Sequence, residues 1–274
     1  MTDTESSTES GGEPYYLPLD GEDRRFRATF STTGPWFADA QHAGPPSALL
    51  ARAIERWPSP DPDVPLRLAR LTTEVLGPIP AGEVEVSTQV LRPGRRIELL
   101  QAELVAGGRT VLQARGWRYV RADTSEVTVG AAPDLPGPEA ATPYEQRPDR
   151  WLPGFVDTID WRMLAGGLGE PGPGTAWCRQ RVPLVAGERP TPLQRLVVAA
   201  DSANGIGSAL DVRDWLFLNT ELSLHVHRPP TGEWIGVDAT TVIGPAGAGT
   251  VSAVLHDEAG HTGRVAQALT VARR

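Results

Sequence analysis

The sequence predicts an α+β fold in which one plan, a helix with an antiparallel meander of strands, occurs twice. Three observations predict it. Two stretches carry apolar residues at helical spacing, Gly44 to Trp57 and Thr191 to Asn204, and most other periodic stretches alternate as strands do. The 29 glycines and 26 prolines among 274 residues are too many for a helical bundle and suit short strands and tight connections. Finally, the two halves overlay at an offset of roughly 150 residues, a period that fits a duplicated domain rather than a solenoid. IPAGEVEV falls on PPTGEWIGV, placing Gly82–Glu83 on Gly232–Glu233. VLRPG falls on VIGPA, placing Pro93 on Pro245, and AGGRTVLQA falls on AGHTGRVAQA, placing Gln113 on Gln267.

The first residues, MTDTESSTESGGEP, are polar and acidic. They lack the basic start and apolar run of a signal peptide, so residues 1–14 are expected to be a disordered tail. Residues 15–122 form the first unit. Arg25 to Thr32 alternates as a strand, and Gly34–Pro35–Trp36 breaks it. The helix is entered at Gly44–Pro45–Pro46 and ended by Pro58. Strands then follow over Leu66–Leu76, Val84–Leu91, Ile97–Val105 and Thr110–Val120. Residues 123–153 are rich in Pro, Gly, Ala and Glu without a lasting period, and read as a linker with local order near Tyr144 and Trp151. Residues 154–274 form the second unit: a strand over Thr175–Leu184, the helix, and strands over Leu216–Val226, Trp234–Ile243, Thr250–Leu255 and Arg264–Val271.

The second helix has clear punctuation. Thr191 suits the N-cap and Pro192 the first turn, where a missing N–H costs nothing. Leu193, Leu196, Val197 and Ala200 make an apolar stripe, and Asn204–Gly205 reads as the stop. Asp201 falls four residues after Val197, on the flank of that stripe. A carboxylate leaning into an apolar face is costly unless something binds or uses it. The plainer reading is that Asp201 caps a turn or reaches water.

Charge and composition exclude several classes. The net charge of −8 gives a nucleic-acid role no electrostatic support. No stretch approaches the ~18 apolar residues of a spanning helix, so no membrane partner is expected. Cys178 is the single cysteine; it allows no internal disulfide, which suits a cytoplasmic protein, and reads as a buried structural thiol. There is no G-x-S-x-G nucleophile elbow and no H-E-x-x-H. His225 and His227 share a strand face, but no carboxylate or cysteine cluster accompanies them, so no metal is expected. Arg92, Arg95 and Arg96 read as a solvated turn.

Four motifs carry a family resemblance: W-x5-HAGPPSALLARAI in the first unit, and AADSANGIGS, FLNTELSLHVHRP and RVAQALTV in the second. Over about residues 15–272 the chain resembles tandem-hotdog acyl-CoA thioesterases related to bacterial thioesterase II. The resemblance implies a double hotdog, two antiparallel sheets each wrapping a central helix. It implies hydrolysis of a fatty acyl-CoA to free acid and CoA, with no cofactor. The family's constellation is an Asp on the second helix, a small polar residue on the next strand and a Gln on the last. These fall on Asp201, Asn219 (or its neighbour Thr220) and Gln267. An ionised Asp can take a proton from an attacking water, and the amides can orient that water.

The departures lie at two places. The family pattern has threonine where Asn219 aligns, and His42-Ala43-Gly44 stands where it has His-Gly-Gly. Pro45 and Pro46 remove backbone donors, leaving the Gly44 N–H at the helix entry as the expected oxyanion donor. His42 reads as a cap there, or else as a catalytic group. Arg228 reads as a surface residue, or else as a contact for CoA phosphates. In the first unit, Ala69 and Ile54 or Glu55 fall opposite Asn219 and Asp201, so one working site per chain is expected, at the junction of the units, with the first lending Gly44 and the wall of an acyl tunnel. Hotdog sheets often pair edge to edge or back to back, which allows a homodimer. Two other functions stay open: a hotdog enoyl-CoA hydratase or dehydratase using His42 with a carboxylate, and a non-catalytic acyl-CoA or lipid-binding protein.

Overall fold

The computed structural model describes residues 12–19, 21, 23–149 and 151–274. Most of the expected tail over residues 1–14 therefore lies outside the described residues. In the first unit, β1 (Tyr16–Pro18), β2 (Arg25–Ala28), α1 (Gly44–Arg56), β3 (Leu66–Val75), β4 (Glu83–Arg92), β5 (Ile97–Ala106) and β6 (Arg109–Val120) follow in order. The second contains β7 (Thr142–Pro143), β8 (Ile159–Ala165), β9 (Gly174–Gln180), α2 (Pro192–Ala200), α3 (Ala203–Ile206), β10 (Trp215–Asn219), β11 (Glu221–Val226), β12 (Trp234–Ile243), β13 (Ala248–Asp257) and β14 (Gly260–Arg273).

The expectation of two separate sheets is corrected. One antiparallel sheet runs β1-β2-β4-β5-β6-β3-β11-β14-β13-β12-β9-β8-β7, with β10 also on β14. The seam is β3 against β11, where Leu71 pairs with Leu224 and Thr73 with Leu222. Each strand would be an open edge in an isolated unit, and pairing them satisfies both rows of backbone groups. Outward from the seam the order β3-β6-β5-β4-β2 is matched by β11-β14-β13-β12-β9, each strand with its counterpart in chain order.

α1 lies over β3–β6, α2 and α3 lie over β9, β12 and β13, and α1 packs on α2. Their apolar faces form one continuous core with the inward rows of the strands. Polar ties join the units as well. Thr191 Oγ1 donates to Glu55 Oε2 (3.0 Å), Gln194 Nε2 donates to the same oxygen (3.1 Å), and Arg52 Nε donates to Glu188 Oε2 (2.8 Å). Burial pushes the Glu55 carboxyl above its ordinary value, against those two hydrogen bonds.

Several element boundaries differ from the sequence reading. The stretch Arg25–Thr32 is a strand only to Ala28, and Phe30–Thr32 forms a 3-10 turn capped by Thr29. Residues 159–165, read as part of no element, form β8. The 123–153 segment lies against the second unit: Trp177 Nε1 donates to Pro136 O (2.8 Å), and Trp151 joins the main core. The helix over 191–204 is interrupted after Ala200: the Asp201 N–H still donates to Val197 O (3.4 Å), but the Ser202 N–H closes a tighter turn onto Ala199 O (3.0 Å) before α3 begins. Gly205 is therefore no stop. A Cβ there would come within 2.9 Å of the Trp151 ring, so glycine is required by close packing.

Candidate active site

The site is built where the end of α2 meets the start of α1. Asp201 occupies the C-cap of α2 and is 2% exposed. Its Oδ1 accepts a hydrogen bond from Asn219 Nδ2 at 2.8 Å, and its Oδ2 lies 3.0 Å from His42 Nδ1. Gln267, on β14 and 1% exposed, donates through Nε2 to the backbone carbonyl of Asp201 (3.2 Å) and leaves its buried Oε1 without a partner. The carboxylate thus receives groups from both units: His42 from the first, Asn219 from the second.

His42 meets the helix entry from outside the N-cap position: its Nδ1 accepts from the Gly44 N–H, the first of α1, and also faces Asp201. The N-cap of α1 is Ala43, with no side-chain capping bond, and the imidazole lies across the helix entry toward Asp201, stacked on Phe155 at 3.9 Å. The Gly44 N–H also lies 3.1 Å from His42 Nδ1. One ring nitrogen carries either a proton or a lone pair, so those two contacts exclude each other. In the structure Nδ1 accepts from the Gly44 N–H and stands within ion-pair distance of Oδ2; moving the proton to Nδ1 would direct it to the carboxylate and free the Gly44 N–H. Pro45 and Pro46 have no N–H, and the Ser47 N–H already donates to Ala43 O (3.0 Å). A Cβ on Gly44 would stand 3.0 Å from Val198 O, so glycine lets the two helix ends come together.

Thr220 stands apart from the site. Its N–H donates to Ala268 O (2.9 Å), its carbonyl accepts from Val75 N (2.9 Å), and the residue is exposed. The register against β14 slips by one residue between Asn219↔Leu269 and Ser223↔Ala266. That bulge keeps Asn219 on the face of Phe217 and lets Leu222 and Leu224 face inward after it. Read as one unbroken strand, Leu222 would have turned Thr220 inward and Phe217 would have turned Asn219 inward.

The end of α1 is held differently: Gln113, which the overlay places on Gln267, donates to Glu103 Oε1 (2.9 Å) and does not reach it. Arg118, 2% exposed, donates to Trp57 O (2.6 Å), Pro58 O (3.1 Å) and Ile54 O (3.2 Å), capping the end of α1. Its guanidinium pairs with buried Glu98 (Nε to Oε1, 2.6 Å). An ion pair caps this helix end where Gln267 caps the other.

A cavity of about 20 Å³ touches His42, walled by Trp36, Trp151, Phe155 and Trp161, with Ser202 and Asn204 on the helix side. No periodicity marked Trp151, which lies in irregular chain, or Phe155, which opens a 3-10 turn over Phe155–Thr158. The other candidates are occupied elsewhere. Arg228 forks onto Asp257 at 2.9 and 2.6 Å, and Arg95 pairs with Asp61 at 2.9 Å. His227 packs on His261 with ring centres 4.5 Å apart. Among the described residues, no three His, Cys, Asp or Glu side chains group as a metal would require. Cys178 is buried, and burial pushes its thiol far above the ordinary range.

Sheet order, helix pair and junction define a tandem fold with its polar cluster between the halves. Residues 32–119 match the family model described as the acyl-CoA thioesterase N-terminal domain, and residues 138–271 match that of the acyl-CoA thioesterase C-terminal domain. Together they take in well over half of the chain, which belongs to the acyl-CoA thioesterase family and is a thioester hydrolase. No curated protein matches it. Among solved structures, a Thermobifida fusca protein provisionally assigned as a thioesterase II has 19% identity, covers 94% of this chain and 95% of its own, and has a TM-score of 0.72. An Alicyclobacillus acidocaldarius protein of unknown function with a hot dog fold has 14% identity, coverages of 93% and 95%, and a TM-score of 0.72. A dehydratase domain of the curacin polyketide synthase has 12% identity, coverages of 94% and 96%, and a TM-score of 0.52. At such identities the likeness concerns the fold, which is hotdog. Among the described residues, no helix is long and apolar enough to cross a membrane.

Proposed function

We propose that the chain hydrolyses an acyl-CoA to the free acid and CoA, with Asp201 activating the attacking water. The observation that carries this reading is the buried Asp201 carboxylate held by Asn219 and His42 at the junction of the units. The water oxygen attacks the thioester carbonyl carbon while Asp201 takes one of its protons. The unpartnered Gln267 Oε1 accepts the other hydrogen of that water and so orients it. The Gly44 N–H, at the positive end of α1, donates to the carbonyl oxygen as it gains charge. Collapse of the tetrahedral species breaks the C–S bond, and the proton on Asp201 passes to the departing thiolate. His42 holds the carboxylate in place and covers one side of it. The acyl-CoA is the only partner required, and the expected setting is cytoplasmic. The two-unit division, at residues 15–122 and 154–274 with the 123–153 segment between, belongs to the same proposal.

Following free thiol release over a panel of acyl-CoAs tests this. Asp201→Ala is expected to lose activity by about 10²–10⁴-fold, and Gln267→Ala to lose it as well. Release that survives both substitutions removes the mechanism.

One observation favours a second reading. His42 and Asp201 come together from different units, as the His and carboxylate of an acid–base pair would. A hydratase or dehydratase would use that pair on an enoyl or hydroxyacyl thioester. Hydration of enoyl-CoA that is lost in His42→Ala, with no thiol released, would favour it. Tight acyl-CoA binding without turnover would favour a binding protein.

A further inference from the structure

We propose that the acyl group this site accepts is short and carries an oxygen substituent, a hydroxyl or a keto group, selected by Trp151 and Ser202. The proposal rests on the thioesterase reading above and names its substrate class.

Size is the first argument. The cavity against His42 has a volume of about 20 Å³, room for roughly one water-sized group. Its walls are rings: Trp36 packs edge-on to Phe217 at 5.0 Å and lies 6.4 Å from Trp151. The indole of Trp151 sits so close over Gly205 that a Cβ there would come within 2.9 Å of it. Every methylene added to an acyl chain entering here must displace an indole or a benzyl ring. Close-packed interiors resist such insertion.

Polarity is the second argument. Ser202 and Trp151 both line this cavity, and each carries a buried polar atom without a hydrogen-bond partner, Ser202 Oγ and Trp151 Nε1. Ser202 is 6% exposed and Trp151 8%, so a partner for either atom has to come from within the cavity. Buried polar groups are almost always paired. A plain alkyl chain would leave both unpaired. The indole nitrogen can only donate, while the serine hydroxyl can donate or accept. The group that satisfies both is an oxygen that accepts, which a hydroxyl or a ketone supplies. A site built to pair such an oxygen rejects the analogue that lacks it far more strongly than an apolar pocket rejects an extra methylene.

Values of kcat/KM for butyryl-CoA, 3-hydroxybutyryl-CoA, acetoacetyl-CoA and palmitoyl-CoA test this in the wild type, Ser202→Ala, Trp151→Phe and Trp151→Ala. The ratios compare substrates on one enzyme, so a fraction of unfolded protein does not disturb them. The wild type is expected to prefer a 3-oxygenated substrate over butyryl-CoA by about tenfold or more. Ser202→Ala and Trp151→Phe, both small changes, should each erase most of that preference. Trp151→Ala should raise the palmitoyl-to-butyryl ratio by about tenfold. Asp201-dependent thiol release that is fastest with palmitoyl-CoA, or equal for butyryl and hydroxybutyryl substrates, overturns this proposal and leaves the thioesterase reading standing. No thiol release from any substrate, or release indifferent to Asp201→Ala, overturns both.

Discussion

Gly44 shows how one residue serves geometry and chemistry together. Its lack of a side chain lets α1 approach Val198 and Asp201, and in the mechanism proposed above its N–H, which now donates to His42 Nδ1, is the donor left once two prolines follow. Gly44→Ala is therefore expected to push the helix ends apart by a few tenths of an ångström. We expect a stability loss of about 1–3 kcal/mol and, in the folded fraction, a fall of kcat with little change in KM. Steady-state kinetics beside a thermal melt separates the two effects. Motif order singled out Asp201, Asn219 and Gln267, and the fold brings both amides into hydrogen-bond contact with Asp201. The contact of His42 with Asp201 was not legible, because a histidine beside a helix entry reads equally as a cap. Only the folded chain brings Asp201, 159 positions later by number, to within 3.0 Å of it.

Among the elements, α2 was legible through its threonine cap and following proline, both of which stand as read. Its end was not legible, since Asn204–Gly205 carries the composition of a stop while the break comes at Asp201. The break has a use: it leaves the Asp201 carbonyl at a helix end for Gln267 and turns the carboxylate toward α1. The Thr220 bulge was equally hidden, because alternation gives no sign where a strand gains a residue. In the first unit the same helix end is held by Arg118 and Glu98. Glu98→Ala leaves a buried guanidinium without its carboxylate and should cost about 3–5 kcal/mol. Thermal denaturation should show a large fall in Tm, and the folded protein should keep its KM, since that pair lies at the opposite end of α1 from His42.

On the scale of the molecule, the two-unit plan was readable and the seam was not. Periodicity identifies strands; it does not say which free edges meet. The 123–153 segment adds a pH-dependent tie. Ala132 N–H donates to His261 Nδ1 (2.9 Å), which requires a lone pair there, and His256 lies close by with ring centres 5.6 Å apart. Burial first, then positive neighbours, hold both imidazoles below their ordinary 6.5. The unfolded chain protonates these groups more readily than the folded one, so their contribution is present above pH 6.5 and is lost as pH falls toward their folded values. The melting temperature should therefore drop between pH 7.5 and pH 5.5, values that straddle roughly the free-histidine range, and His261→Gln, which removes the titrating acceptor of the Ala132 N–H, should flatten part of that drop. An unchanged pH slope in that variant would contradict the tie.

The central claim is that Asp201 activates a water rather than attacking the thioester itself. A single turnover in ¹⁸O-labelled water, with enzyme in excess over acyl-CoA, tests this against a covalent route in which water opens an acyl–Asp201 anhydride at the Asp201 carboxyl carbon; trapping of any acyl-enzyme with hydroxylamine covers attack at the acyl carbon. Direct attack by water puts the label in the released acid on that first turnover and leaves the protein unlabelled. An unlabelled acid, with ¹⁸O retained on the Asp201 carboxylate, would contradict it.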